Sequence, residues 1–161
     1  MLVMDTSAFL SLASIKTLDT VLEEYSVYST EKVFQELEEI AEYDDLHAEA
    51  AQRVIELSSR FEIRNVEKGN FESSRIDEGE YSCVKLANRL ETEFILTDDF
   101  RALPELKCLS NCRVAISPVM LKALVKKDKI TERKAKEKLD DLAENRNWIG
   151  SPIYRHAKSL F

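Results

Sequence analysis

The sequence predicts an α/β protein whose sheet is parallel and covered by helices on both faces. Two observations predict it. Short apolar, β-branched runs alternate along the chain with segments of helical periodicity, the pattern of βα units. The first and fourth of those runs end in acidic and hydroxyl residues, Asp5-Thr6-Ser7 and Thr97-Asp98-Asp99. The loops at the carboxyl ends of parallel strands are where such sheets bind ligands. The chain of 161 residues, 44% hydrophobic and 33% charged, suits one soluble globular domain with a core of its own.

The strand-like runs are Leu2–Met4, Tyr25–Tyr28, Phe61–Val66, Glu93–Leu96 and Arg113–Ile116. Between them, residues 8–24, 30–42, 45–60 and 78–91 read as helices from their spacing and their Ala, Leu, Glu and Lys content. Beyond residue 117 the pattern is helical only, over 118–127 and 131–146. The expected organisation is one domain spanning 1–161, with an acidic α/β body (1–117) and a basic helical tail (118–161). No repeat, low-complexity tract or long linker divides it.

Composition excludes several chemistries. The 3 Gly form neither a G-x-G-x-x-G fingerprint nor a Walker A loop. The 2 His, His47 and His156, form no H-E-x-x-H and no evident zinc site. The 3 Cys are too few for a disulfide framework; Cys108 and Cys112 could form half a metal site or a disulfide, but small buried apolar residues in a reducing cytoplasm explain them better. The longest charge-free run, Thr6–Ile15, is too short to span a membrane, and no signal-peptide pattern opens the chain. A cytoplasmic location is therefore expected. The formal net charge of −7 weighs against a polyanionic partner as a single number. Split by position, residues 1–118 carry 12 basic and 24 acidic side chains, while residues 119–161 carry 11 basic and 6 acidic.

Glu80 sharpens the case for a site. On the 78–91 helix it falls within the apolar stripe of Cys83, Val84, Ala87 and Leu90, whereas Glu78 projects to the far side. A carboxylate on a core-facing stripe is costly unless it is paired, protonated or metal-bound. A capping box, Asp77 with Glu80 three residues on, accounts for it equally well. On the 30–42 helix the stripe is Val33, Phe34, Leu37, Ile40 and Ala41, and Glu36 and Glu38 flank it on opposite edges. Periodicity does not choose between those two. If Asp5, Glu36, Glu80 and an Asp at 98 or 99 converge, their repulsion calls for a cation. An oxygen-only donor set suits Mg²⁺ or Mn²⁺, and phosphodiester hydrolysis is the reaction that fits.

Four segments taken together resemble the PIN-domain family of metal-dependent ribonucleases, which includes many prokaryotic toxins. They are Leu2-Val3-Met4-Asp5-Thr6-Ser7, Val33-Phe34-Gln35-Glu36-Leu37, Asp77-Glu78-Gly79-Glu80 and Ile95-Leu96-Thr97-Asp98-Asp99-Phe100-Arg101. The Asp-x-Gly-Glu form and the tail near Trp148-Ile149-Gly150-Ser151 resemble one prokaryotic branch of it. The resemblance implies a three-layer α/β/α fold, strand order 3-2-1-4-5, followed by C-terminal helices. It implies catalytic acids at Asp5, Glu36, Glu80 and Asp99, with Asp98 as substitute or partner metal ligand. Asp77 either helps the site or only caps its helix. Thr6, Ser7 and Thr97 would orient carboxylates or metal-bound waters. The departures are a Glu at the third position, where Asp is common, and the doubled Asp at the fourth.

The activity this implies is a Mg²⁺/Mn²⁺-dependent endoribonuclease cutting single-stranded RNA, of toxin type, with an antitoxin-type protein partner and a homodimeric state. Arg101 and the tail lysines Lys122, Lys126 and Lys127 are candidate RNA contacts, beside Lys129, Arg133 and Lys134. An amphipathic helix pair with lysines in solvent is the plainer explanation of that tail. Two other classes compete: an inactive PIN fold serving as a binding or assembly module, and a phosphatase or receiver domain. The phosphatase pattern needs an Asp where Ser7 stands, and a receiver needs an acceptor Asp where Asn65-Val66-Glu67 stands.

Overall fold

The computed structural model of the chain describes residues 1–67 and 73–161. Strands β1 (Leu2–Met4), β2 (Val27–Thr30), β3 (Glu62–Arg64), β4 (Phe94–Leu96) and β5 (Arg113–Ala115) form one sheet in the order β3-β2-β1-β4-β5. Every neighbouring pair is parallel, with Val3 of β1 opposite Tyr28 on one side and Ile95 on the other. This is the order the resemblance implies. Burial follows position in the sheet: Leu2, Val3 and Met4 are buried, as a central strand covered on both faces must be. The edge strand β3 instead exposes Glu62 and Arg64, which pair with each other and guard the open edge.

Helices α1 (Thr6–Ser14), α2 (Leu18–Glu24), α3 (Glu31–Ala41), α4 (Leu46–Glu56), α5 (Glu78–Leu90), α6 (Leu103–Leu109), α7 (Pro118–Lys126), α8 (Glu132–Asn145) and α9 (Pro152–Lys158) connect and extend the strands. α5 lies across β1, β2 and β4, while α1 packs on α2, α3, α4 and α8. Phe9, Leu12, Leu37, Leu86, Ile95 and Leu121 are fully buried between these layers. Several helices start on a side-chain oxygen that accepts an amide of the first turn: Asp5 for α1, Thr30 for α3, Asp45 for α4, Asp77 for α5. Two of those caps are strand-end residues, so the switch from strand to helix and the placing of polar groups at the sheet edge are one event.

Three expectations need correction. The predicted helix over 8–24 is two helices, because Lys16 takes a left-handed φ of 51° after α1 and turns the chain before Leu18. β2 begins at Val27 rather than Tyr25, since Tyr25 closes α2, and β3 is shorter than Phe61–Val66. α6 and α9 were not predicted; each is seven residues long and starts with a proline in its first turn. The tail does not hang free: Lys138 and Asn145 of α8 donate to the carbonyls of Ile15 and Ser14 at the end of α1. The cysteines are unpaired, with Cys83 buried and Cys108 exposed. Among the described residues no helix is long and apolar enough to cross a membrane.

Candidate active site

β1 and β4 are neighbours, so their carboxyl ends place Asp5 beside the 97–99 loop, and the Asp5 amide donates to Leu96 O at 3.1 Å. Asp5 is 4% exposed. Its carboxylate accepts the Ala8 amide at 2.8 Å and the Ser7 hydroxyl at 2.8 Å. Burial pushes its pKa from the ordinary 3.8 to about 7, against the pull of the Thr97, Ala8 and Ser7 hydrogen bonds. The Ser7 hydroxyl in turn accepts the Asp98 amide at 2.7 Å, tying the two strand ends together.

Glu36 arrives from α3. The structure chooses it over Glu38: Glu36 is half-buried and accepts the Thr6 hydroxyl at 2.5 Å, whereas Glu38 is exposed. Burial raises its pKa first and nearby Asp77 adds to this, while Thr6 and Lys32, whose Nζ is 3.9 Å away, oppose it. Its carboxylate rests on the first turn of α5, where Gly79 makes room. A Cβ at residue 79 would lie 2.6 Å from Glu36 Oε1.

Glu80 makes the capping box that the sequence offered and is buried as well. The capping box is present: the Glu80 amide donates to Asp77 at 2.8 Å and the Asp77 amide donates to Glu80 Oε2 at 2.9 Å. The same carboxyl is buried and lies in the field of other acids. Burial, then Asp77, Asp5 and Asp99, raise its pKa to about 8. Beneath the acids sits Cys83, fully buried, its thiol aimed at Met4 O at 3.8 Å. Burial raises the thiol's pKa, and Asp5, Glu36, Asp77 and Glu80 all raise it further. These four acids all bear on the one buried thiol, near the sheet's carboxyl edge. Ser82 fastens α5 there, bonding Thr30 at 2.7 Å and Gly79 O at 2.6 Å.

The doubled Asp separates into two roles. Asp98 spends both oxygens on Ser117, one on its amide and one on its hydroxyl, each at 2.7 Å. Its side chain fastens the β5–α7 junction. Arg146, from the end of α8, lies in the field of Asp98 and Asp5 and helps offset their charge. Asp99 points elsewhere: its carboxylate accepts the amides of Arg101 at 2.9 Å and Ala102 at 3.3 Å, and the Arg101 guanidinium lies 3.3 Å away. Its own amide donates to the Thr97 hydroxyl at 3.2 Å. Thr6, Ser7 and Thr97 thus each bond a carboxylate or its backbone.

The tail lysines have contacts of their own. Lys127 pairs with Glu24 at 3.3 Å and covers Tyr25, at the amino edge of the sheet, and Lys126 is its neighbour on α7. Lys122 lies over the Phe161 ring. Gly79, Ser117, Cys83 and Arg146 are contributors that sequence reasoning missed. Only Gly79 carried a signal, as one of 3 glycines in the chain and in the first turn of a helix.

The family model described as a PIN domain aligns with residues 1–161. The chain is a PIN-domain protein. No curated protein matches it. PIN domains are in general nucleases and typically use divalent metal ions. In this PIN domain the donors that would hold an ion are carboxylate oxygens, which suit a hard divalent cation. Among the described residues no three His, Cys, Asp or Glu side chains stand close enough to close on one ion. The carboxylates are gathered and held apart by their hydroxyl and amide partners.

Proposed function

We propose that this PIN domain is a Mg²⁺- or Mn²⁺-dependent endoribonuclease that hydrolyses single-stranded RNA. The observation that carries the reading is the set of carboxylates around Cys83. Burial first, with Asp98 adding to it, pushes Asp5 to about 7, and burial with Asp77, Asp5 and Asp99 pushes Glu80 to about 8, at the end of the sheet where parallel folds bind ligands. Asp5, Glu36, Glu80 and Asp99 would hold the ion, which supplies a more acidic bound water and neutralises phosphate charge. The remaining chemistry belongs to the chain. Thr6 fixes Glu36, Ser7 fixes Asp5, and the Asp77–Glu80 box sets Glu80 on the first turn of α5. Arg101, exposed and with its guanidinium on Asp99, would contact a phosphate at the rim. A cleft of about 1040 Å³ bordered by Lys32, Gln35, Asp77, Tyr81 and Lys85 gives a strand room beside the acids.

One observation favours a second reading, an inactive fold that only binds. Asp99 is engaged by two amides and a guanidinium. Cleavage of fluorescent single-stranded RNA in Mn²⁺ by wild type, by Asp5→Asn and in excess EDTA decides between the two. Hydrolysis lost in both controls supports the nuclease; hydrolysis surviving in either ends the carboxylate mechanism, and no cleavage with no Mn²⁺ binding favours the binding module. A toxin-type role, an antitoxin-type partner, a homodimer and a cytoplasmic setting belong to the same proposal through the family resemblance. Light scattering on the purified chain tests the dimer.

A further inference from the structure

We propose that Phe100 and His156 form a stacking platform for one unpaired nucleobase, beside the acidic site and immediately after Asp99. The proposal rests on the nuclease reading for its ligand, single-stranded RNA, and adds a base-binding subsite to it. The turn Phe100–Ala102 is wound on the Asp99 carboxylate, which accepts the amides of Arg101 and Ala102. Phe100 is therefore held at the crest of a turn fixed to a candidate metal ligand, its Cα about 3.8 Å from that of Asp99.

Its exposure is the unexplained feature. Phe9 and Phe61 stack in the core at 4.8 Å, while Phe100 is 37% exposed. Its ring neighbour is another exposed aromatic, His156, brought from α9 to a centroid distance of 6.1 Å at an interplanar angle of 56°. Two rings from distant segments therefore meet at the surface next to the acids. The rim carries cations: the Arg101 side chain is 87% exposed, and Arg155, next to His156 on α9, is exposed. α9 itself carries no acidic residue. Aromatic faces flanked by basic side chains are how proteins hold single strands, with bases on the rings and phosphates on the cations. An apolar protein partner would not call for that cationic rim, and a base paired in a duplex has no free face to offer.

The test walks a single abasic nucleotide along a labelled RNA, using the wild-type full chain, so it does not depend on any variant folding. Steady-state cleavage in Mn²⁺ should show one position, next to the cut, at which loss of the base raises KM about five-fold to a hundred-fold with kcat within about two-fold. Phe100→Leu should raise KM for the intact RNA by a similar factor and remove the penalty at that position. Phe100→Tyr should restore both. Anisotropy with Asp5→Asn, which needs no cleavage, should show the same Phe100-dependent preference for single strand over duplex. Equal penalties at every position, equal affinity for duplex, or no binding of any strand overturns the platform. A Phe100→Leu effect confined to sedimentation behaviour overturns it too, marking the patch as a protein contact. If wild type cuts no RNA but the single-base, Phe100-dependent binding penalty persists, the platform stands and the nuclease reading fails. If it cuts all abasic substrates alike, the nuclease stands and the platform fails.

Discussion

Replacing Gly79 with alanine should disable the site while leaving the fold intact. The added Cβ would stand 2.6 Å from Glu36 Oε1 and 3.0 Å from Oε2, where ordinary contact begins at 3.4 Å. The Glu36 carboxylate must therefore retreat by about 0.8 Å, the difference between those distances. As the far end of a flexible side chain it can do so cheaply. The cost is its 2.5 Å hydrogen bond from Thr6, worth roughly 1.5 kcal/mol for a carboxylate acceptor that is only half-buried. Against this, alanine in a helix is favoured over glycine by up to about 1 kcal/mol. The two nearly cancel, so the urea midpoint should move little. Function has no such compensation. Ligand distances in metal sites hold to about 0.2 Å, and a displacement near 1 Å in a catalytic site can cost about 100-fold. We expect kcat/KM for Mn²⁺-dependent RNA cleavage to fall about 100-fold in Gly79→Ala at unchanged stability. Glu36→Asp in the same background, one methylene shorter, should recover part of it. Cleavage within two-fold of wild type, or an activity loss matched by a stability loss above about 2 kcal/mol, would refute the reasoning.

Three further outcomes follow from the same geometry. Ser117→Ala removes the hydroxyl on Asp98 and should cost about 1.5–3 kcal/mol in chemical denaturation, with cleavage by the folded fraction within a few-fold; a selective loss of activity would return Asp98 to the site. The apo protein should be most stable in acid. A carboxyl with a raised folded-state pKa favours folding fully below the unfolded value and loses that advantage as pH rises through the folded one. For Asp5 and Glu80 the window runs from about pH 4 to about pH 8. At about 1.4 kcal/mol per pKa unit, Asp5 alone gives an upper bound near 4 kcal/mol; Mn²⁺ should flatten the fall, and stability that rises over this window contradicts the carboxylate assignment. Lys127→Ala should leave RNA affinity unchanged, because Lys127 is paired with Glu24 at the amino edge of the sheet; a marked drop in filter binding would move the strand's path to the tail.

Much of this architecture was legible in the residues because one chemical event is repeated. An apolar strand stops at a polar residue that also starts the next helix, as at Asp5 and Thr30, and a linear pattern records that. What the pattern could not record is where a side chain turns once it leaves the backbone. Asp98 and Asp99 are adjacent in sequence, yet Ser117, from another strand's end, claims both oxygens of one and leaves the other near Glu80. Glu36 and Glu38 sit on equivalent edges of one stripe, and the contact that separates them is a hydroxyl on α1. The break at Lys16 escaped notice because a left-handed residue interrupts a helix without disturbing the apolar spacing on either side. α6 and α9 are too short to display a period. The α9 omission mattered most, since α9 carries His156 to Phe100.

The central claim is that Asp5, with Glu36, Glu80 and Asp99, holds a divalent cation. Isothermal titration of Mn²⁺ into the apo protein at pH 7, in two buffers of different ionisation enthalpy, tests it most directly. Wild type should bind Mn²⁺ and release protons from carboxyls held near 7 and 8, and Asp5→Asn should lose the binding. No Mn²⁺ binding by folded wild type, or binding undiminished in Asp5→Asn, would contradict it.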